Sequence, residues 1–535
     1  MLRRLCKLCQ IVETPAIKSL RIFSTATVRR LEEEAIEKDV FADDFLSHTS
    51  KEPEVVVKSK RKPIIHCRDP KLHHYYGTTY PKFQEIPIAS KNWMSRKSKG
   101  DYFTVYPTPV KDDSTDNYDL ENTYFSDIKL DSRLVANLKK WGYEHPTKIQ
   151  LDAIPQLLSG QNVIITAETG CGKTFAYLIP IVQQILKWKK IGQERNLNTP
   201  YAVIIAASRE LTAQIGMETK KLTKDLDIDV QTIVGGRTTK IKRNPPIRNV
   251  DILIGTVGVL CKMTTWKIYK LDHVYHTVLD EAHALFDEMY DDKLLSFLKK
   301  IKFGFRQPGT SIPTSSQLIL ASATMPETMP DYLEEVVDVN SIINLSTPNT
   351  HRVLVPQKFW RLGALQKPYE LLKLVKSRAL QKAPTLIFCR NAATSDWIAI
   401  FLNSMNVKAI ALNGQMPAVI RKDRYGQFKR GEVHILSTTD SAARGLDTTM
   451  VDLVINYDFP ASTADYVHRC GRTGRLGGVQ NGRIINFISR KYEIELTQKI
   501  ERIARRGRAI PMFNIIEAKE NISVDQELKM LLERS

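Results

Sequence analysis

The chain has 535 residues, 42% of them hydrophobic and 26% charged, and a formal net charge of +19. That length allows roughly three to four domains with ample cores, and the composition is that of a soluble globular protein. No run of about 18 apolar residues occurs, which argues against a membrane span, and the positive excess steers the chain toward polyanions, nucleic acid above all.

Residues 1–23 carry Arg3, Arg4, Lys7, Lys18 and Arg21 against Glu13 alone. Leu2, Leu5, Leu8 and Ile11 recur near helical spacing, so this stretch reads as an amphipathic mitochondrial transit peptide. Arg21 stands three residues before Ser24, resembling a matrix-peptidase cleavage site. A mitochondrial matrix location is expected, with a nuclear or nucleolar reading of the same basic residues as the alternative. The seven cysteines are scattered; Cys6 and Cys9 form a CxxC without a second pair, so neither a disulfide framework nor a zinc cluster is expected from them.

Residues 24–120 read as a basic, mostly disordered extension. An acidic patch near Glu32 to Asp44 precedes basic residues from Lys51 to Lys99, interleaved with Tyr75, Tyr76, Tyr80, Phe83 and Trp93. Such a segment can tether RNA by charge and stacking, or serve as a divergent extension with no discrete site.

From Phe125 the pattern changes. Leu130 to Trp141 has helical periodicity. Asn162 to Ala167, Tyr201 to Ala206, Asp251 to Ile254, Thr277 to Leu279 and Leu318 to Leu320 read as short buried strands separated by helices. A second alternation places strands at Thr385 to Phe388, Lys408 to Leu412, His434 to Ser437, Leu453 to Asn456 and Arg483 to Phe487. The polar Ser346 to Arg352, with Pro348, is the linker. Two α/β domains of parallel-sheet type are expected, at 121–347 and 353–515, followed by a tail at 516–535.

Ala167, Glu168, Thr169, Gly170, Cys171, Gly172, Lys173 and Thr174 lie between a strand and a helical run. They form a phosphate-binding loop in which Ala167 replaces the usual first glycine. Backbone N–H groups at the helix start cradle phosphates, Lys173 reaches the β- and γ-phosphates, and Thr174 ligates Mg²⁺. Cys171 shares this electropositive turn, so an acidified thiol is expected there.

Asp280, Glu281, Ala282 and His283 follow a strand, at the carboxyl end where such sheets bind ligands. Asp280 is placed to hold Mg²⁺ through water, and Glu281 to orient and deprotonate an attacking water. The octet His468 to Arg475 packs Arg469, Arg472 and Arg475 with two glycines into a turn suited to a polyphosphate. With the distant P-loop, it implies a nucleotide clamped between two domains.

In order, these motifs resemble the DEAD-box family of superfamily 2 RNA helicases. Gly142 to Gln150, with Phe125 upstream, resembles the Q motif; Ser208-Arg209-Glu210-Leu211, the Gly235-Gly236 doublet, Ser322-Ala323-Thr324 and Thr439 to Asp447 resemble others in sequence. The resemblance covers about Phe125 to Phe487. It implies two tandem RecA-like domains, and ATP read at its adenine by Gln150 and Phe125 and at its ribose by Asp447. Arg472 and Arg475 look like arginine fingers. RNA is expected along Arg209, Gly236, Gly258, Gly414, Arg421 and Thr439, with Ser322, Thr324 and His468 coupling hydrolysis to strand separation. Phosphate and 2′-hydroxyl contacts of this kind carry little sequence specificity.

Several residues depart from the family pattern. His283 replaces its final aspartate and Cys171 its serine, as in the related DEAH group, yet Gln150 and His468 keep the chain on the DEAD-box side. Val257-Gly258 lacks the usual Pro and Arg, and Ala418 replaces a glutamine. Together with the leader, these features resemble a fungal mitochondrial member engaged in large ribosomal subunit assembly. The resemblance implies a monomeric enzyme acting on mitochondrial ribosomal RNA or assembly intermediates, without a membrane. An ATP-gated RNA clamp with little unwinding, and a DEAH-type or DNA-acting motor, remain as alternatives.

Overall fold

The computed structural model describes residues 65–67, 93–107, 122–168, 170–192, 196–235, 243–244, 247–286, 291–304, 313–325, 331–347, 353–444, 446, 448–474, 482–505 and 510. Two short strands come first in the chain, β1 (Ile65–Cys67) and β2 (Tyr102–Val105). The first sheet then contains β3 (Val163–Thr166), β4 (Ala202–Ala206), β5 (Val230–Ile233), β6 (Ile252–Thr256), β7 (His276–Asp280), β8 (Gln317–Ser322) and β9 (Ile343–Ser346). Its order is β5-β6-β4-β7-β8-β3-β9, and every pairing is parallel. The central strands are buried along their whole length, which is why they read as continuous apolar runs rather than alternating ones.

Helices α1 (Ser132–Lys140), α2 (Lys148–Leu158), α3 (Lys173–Ile191), α4 (Arg209–Leu222), α5 (Val257–Thr265), α6 (Ala282–Leu285) and α7 (Asp291–Leu298) accompany this sheet. Their starts follow local chemistry. Asp131 accepts the Arg133 N–H and Ser208 the Leu211 N–H, each satisfying a donor that the first helical turn leaves open.

The second sheet adds β10 (Gln357–Arg361), β11 (Thr385–Cys389), β12 (Ala409–Leu412), β13 (Ile435–Thr439), β14 (Leu453–Asn456) and β15 (Arg483–Ile488). Around it lie α8 (Lys367–Leu380), α9 (Ala392–Ser404), α10 (Ala418–Lys429), α11 (Asp440–Ala443), α12 (Thr463–Cys470) and α13 (Lys491–Arg505). The order is β1-β2-β10-β15-β14-β11-β13-β12, with β1 and β2 antiparallel and the rest parallel. Two parallel-sheet α/β domains are therefore present, as the alternation of strands and helices predicts.

The extension differs from its expectation over Trp93–Pro107. These residues are part of the second domain, because β2 pairs antiparallel with β10 in the register Phe103↔Phe359. Phe103 stacks on Phe359 with ring centroids 5.0 Å apart, Trp93 lies 5.4 Å from Phe103, and all three rings are buried. Arg361 fastens the same segment by donating from Nε to the Trp93 carbonyl at 3.1 Å. Leader residues 1–23, the acidic patch and the tail at 516–535 lie outside the described residues, as do Pro348 to Arg352 of the linker. Ser346, placed in that linker, closes strand β9 instead.

Phe103→Ala should open a cavity in the second domain and cost about 3–5 kcal/mol. Urea unfolding of the full chain measures this, and a loss below about 1 kcal/mol would mean that the strand only decorates the domain.

Candidate active site

Strand β3 delivers the P-loop to the carboxyl edge of the first sheet, and α3 begins at Lys173. Gly170 and Gly172 have φ of 90° and 96°, a left-handed conformation that a side chain would strain. A Cβ at Gly172 would also strike the Gln150 amide. Gln150 Nε2 donates to the Gly172 carbonyl at 3.1 Å, while its Oε1 accepts the Thr147 N–H at 2.9 Å. The glutamine thus braces the loop from α2. Phe125 is buried, its N–H donating to the Glu144 carbonyl at 3.1 Å. Lys173 Nζ donates to the carbonyls of Ala167 (2.7 Å) and Glu168 (2.8 Å), so an incoming phosphate exchanges these bonds for its own. Glu168 in turn accepts from Thr347 at 2.8 Å. Thr169 lies outside the described residues.

The Cys171 thiol does not behave as expected. Burial pushes its pKa up, and the nearby Lys173 charge only partly opposes that. The thiol is a buried packing group with no enhanced acidity.

Asp280 ends β7 with its side chain buried, and its Oδ2 accepts from the Tyr177 hydroxyl at 2.9 Å. Burial, and then the neighbouring Glu281 charge, raise the Asp280 pKa to about 6. Tyr177 also hydrogen-bonds Thr174 and so touches both expected Mg²⁺ ligands. Oxygen donors from Asp280 and Thr174 form a hard set that suits Mg²⁺. Tyr177 escaped the sequence reading; its trace was a lone hydroxyl one turn beyond Lys173 in the apolar run Ala176 to Ile181.

Glu281 sits in the left-handed region at φ 55° and ψ 50°, an uncommon conformation for a residue with a side chain. Burial alone would raise its pKa, but His283 in its protonated form and the permanent charges of Lys173, Arg472 and Arg444 lower it, keeping the carboxylate anionic. Arg472 comes from the second domain. It is buried, and its Nη1 donates to the Leu446 carbonyl at 3.3 Å. The octet's first arginine has another task. Arg469 grips Asp440 with Nε and Nη2 at 2.6 and 2.7 Å and braces the Asp458 carbonyl, all within its own domain. Arg475 and Asp447 lie outside the described residues.

The two domains meet here. His283 Nδ1 lies 2.7 Å from Ser322 Oγ, His468 Nε2 lies 3.2 Å from Thr324 Oγ1, and the two imidazole centroids are 4.1 Å apart. Burial holds both rings neutral at pH 7, His283 at about 4 and His468 well below its ordinary value. Arg421 crosses to Glu210 at 3.0 Å, and Ser208 Oγ donates to the Arg444 carbonyl at 3.4 Å.

Four of the residues expected on RNA lie at carboxyl ends of strands. Exposed Arg209 follows β4, Gly258 follows β6, Gly414 follows β12, and Thr439 ends β13, all at carboxyl ends of parallel strands. Gly235 lets the Arg209 guanidinium pass, since a Cβ there would lie 3.1 Å from it. Arg421 is engaged with Glu210, and Gly236 lies outside the described residues.

A family model described as DEAD/DEAH box helicase matches residues 147–332, and one described as helicase conserved C-terminal domain matches 366–477. The human protein named probable ATP-dependent RNA helicase DDX28 is 32% identical over 464 residues, covering 84% of this chain and 85% of that one. The chain belongs to the DEAD/DEAH box helicase family. It is an ATP-dependent RNA helicase of the DEAD-box type, an enzyme that hydrolyses ATP. DEAD-box ATP-dependent RNA helicase 10 of Arabidopsis thaliana is 30% identical, covering 77% of this chain and 85% of that one. Among solved structures, S. cerevisiae Dbp5 bound to RNA and ADP BeF3 is 26% identical, with a TM-score of 0.59 over 71% of this helicase and 93% of that chain.

Because Asp280 has a pKa of about 6 against 3.8 when free, its ionised form costs stability at neutral pH and nothing below about pH 4. Asp280→Asn should therefore stabilise the fold at pH 8, by on the order of 2–3 kcal/mol, while ATP turnover is lost. Thermal unfolding at pH 8 and pH 4 tests this: the gain should vanish at pH 4, and equal gains at both would contradict the assigned cost.

Proposed function

We propose that ATP and single-stranded RNA jointly close the two domains, and that closure assembles the hydrolytic site from both. Gln150 and Phe125 hold the adenine, Asp447 the ribose, and Ala167 to Thr174 the phosphates. Thr174 and Asp280 hold Mg²⁺, which when bound neutralises charge on the phosphate oxygens. Glu281 takes the proton of the attacking water, and Arg472 and Arg475 face the γ-phosphate. RNA runs along Arg209, Gly236, Gly258, Gly414, Arg421 and Thr439, held by its backbone. Arg421 exchanges Glu210 for phosphate as RNA enters.

The observation that carries this reading is the seam itself. Arg472 of the second domain lies within the field that lowers the pKa of Glu281 in the first, while Thr324 reaches His468 at 3.2 Å. A base and a cation from different domains can act on one phosphate only when the domains are closed. Ser322 and Thr324 report that state through His283 and His468.

The Arg-rich, acid-poor leader supports import into the mitochondrial matrix, and the net charge of +19 supports an RNA substrate. We read the enzyme as a monomer that remodels mitochondrial ribosomal RNA during large-subunit assembly. Residues 1–23 fused to a fluorescent protein should direct it to mitochondria; nuclear accumulation would contradict the assigned compartment. Crosslinking of the tagged enzyme to cellular RNA should recover mitochondrial large-subunit ribosomal RNA above all other RNA, and its absence would contradict the assigned substrate.

On matched duplexes with ATP, the enzyme should displace RNA strands and leave DNA strands paired. Glu281→Gln should bind ATP and RNA yet turn over at least about 10³-fold slower, and Arg472→Ala should lose about 10³-fold or more in kcat. Normal turnover by either variant would refute its assigned role. RNA-stimulated hydrolysis without displacement would identify a clamp.

A further inference from the structure

Glu281, His283 and His468 each present one ligand atom, and the three atoms lie within 4.8 Å of one another. We propose that these side chains form a transition-metal site, suited to Zn²⁺, which is complete only in the closed enzyme and holds it closed. The inference rests on the closure proposed above, because two ligands come from the first domain and one from the second.

Two imidazole nitrogens and one carboxylate oxygen are a donor set that binds zinc, with a fourth position left for water. Mg²⁺ prefers oxygen ligands in octahedral geometry, so this cluster selects a different cation from the Asp280 and Thr174 pair. His283 Nε2 and Glu281 Oε2 are buried and have no hydrogen-bond partner, Glu281 Oε2 lying 3.6 Å from His283 Nδ1. Ser322 Oγ holds the opposite nitrogen of His283 at 2.7 Å, and Thr324 Oγ1 holds His468 at 3.2 Å. Hydroxyls hydrogen-bonded to the rings orient them, as the outer shell of a metal site does. His283 is the residue that departs from the family's aspartate, and it supplies the second imidazole.

Lys173, Arg444 and Arg472 surround the cluster with positive charge and oppose a dication. A triphosphate in the P-loop neutralises that charge, so zinc should bind best with nucleotide present. Once ligated, Glu281 can no longer take a proton from water. Zinc would therefore trap a closed, RNA-bound enzyme that does not hydrolyse ATP.

Competition against a fluorescent zinc chelator tests this on the full chain, with and without AMP-PNP, Mg²⁺ and single-stranded oligouridylate. One zinc per chain should bind in the closed complex, at least about tenfold tighter than without nucleotide and RNA. His283→Gln and His468→Gln should each weaken it by at least about 10–100-fold. Micromolar zinc should slow RNA release and stop ATP turnover, both reversed by a zinc-selective chelator. Zinc binding that survives both substitutions, or none in the closed complex, overturns the site. If a variant no longer binds a fluorescent nucleotide, Co²⁺ absorption of the unsubstituted enzyme decides. Tetrahedral bands without thiolate charge transfer support the site, and a thiolate band or no spectrum overturns it. Nucleotide and RNA binding are read in zinc-free samples, so their failure counts against closure and not against the metal. A chain that binds nucleotide and RNA but not zinc overturns the metal site alone.

Discussion

Two imidazoles meet across the domain seam, His283 from the first domain and His468 from the second, with centroids 4.1 Å apart. Two positive rings at that distance would repel strongly, so the contact requires that they not both be charged. Burial enforces this, and the hydroxyls of Ser322 and Thr324 give each ring a hydrogen-bond partner. Ser322 ends the strand paired with β3, which leads into the P-loop, and Glu281 lies two residues before His283. One small polar cluster therefore touches the strand beneath the phosphates, the proposed base and the second domain. These direct contacts are the route by which a change in one place would reach the others.

The surrounding structure carries costs that make sense only in terms of ligand binding. Asp280 is an acid buried next to another acid, and Glu281 occupies a strained left-handed conformation. Lys173 satisfies itself on loop carbonyls that a phosphate would release. Tyr177 and the Glu281 N–H limit the penalty by donating to Asp280 Oδ2 and Oδ1. The second sheet is extended by β1 and β2. Its β2 strand contributes Phe103 to an aromatic stack, so residues ahead of the first domain complete the second.

The central strands were legible because burial on both faces leaves continuous apolar runs such as Val163–Ile165 and Leu318–Leu320. Strands β5, β9 and β10 were not. Val230–Ile233 and Ile343–Ser346 are half exposed and carry polar residues, and Gln357–Arg361 is framed by charge. Tyr102–Val105 hid in a basic stretch because its partner lies more than 250 residues away, and no local period records such a pairing. At the site, the spacing of Lys173, Asp280 and Glu281 was readable from strand and turn chemistry. The structural use of Arg469 was not, since a guanidinium on Asp440 and one on phosphate look alike in sequence. Nor was the acidity of Cys171, where desolvation outweighs the neighbouring lysine.

The proposed closure depends on energetic coupling between the two domains through the Thr324–His468 contact. A double-mutant cycle with Thr324→Val and His468→Phe, read as RNA-stimulated kcat/KM for ATP, measures that coupling directly. The two losses should be strongly non-additive, with an interaction energy of about 1–3 kcal/mol. Losses that add to within about 0.5 kcal/mol would show that the seam contact is incidental and that the domains communicate by another route.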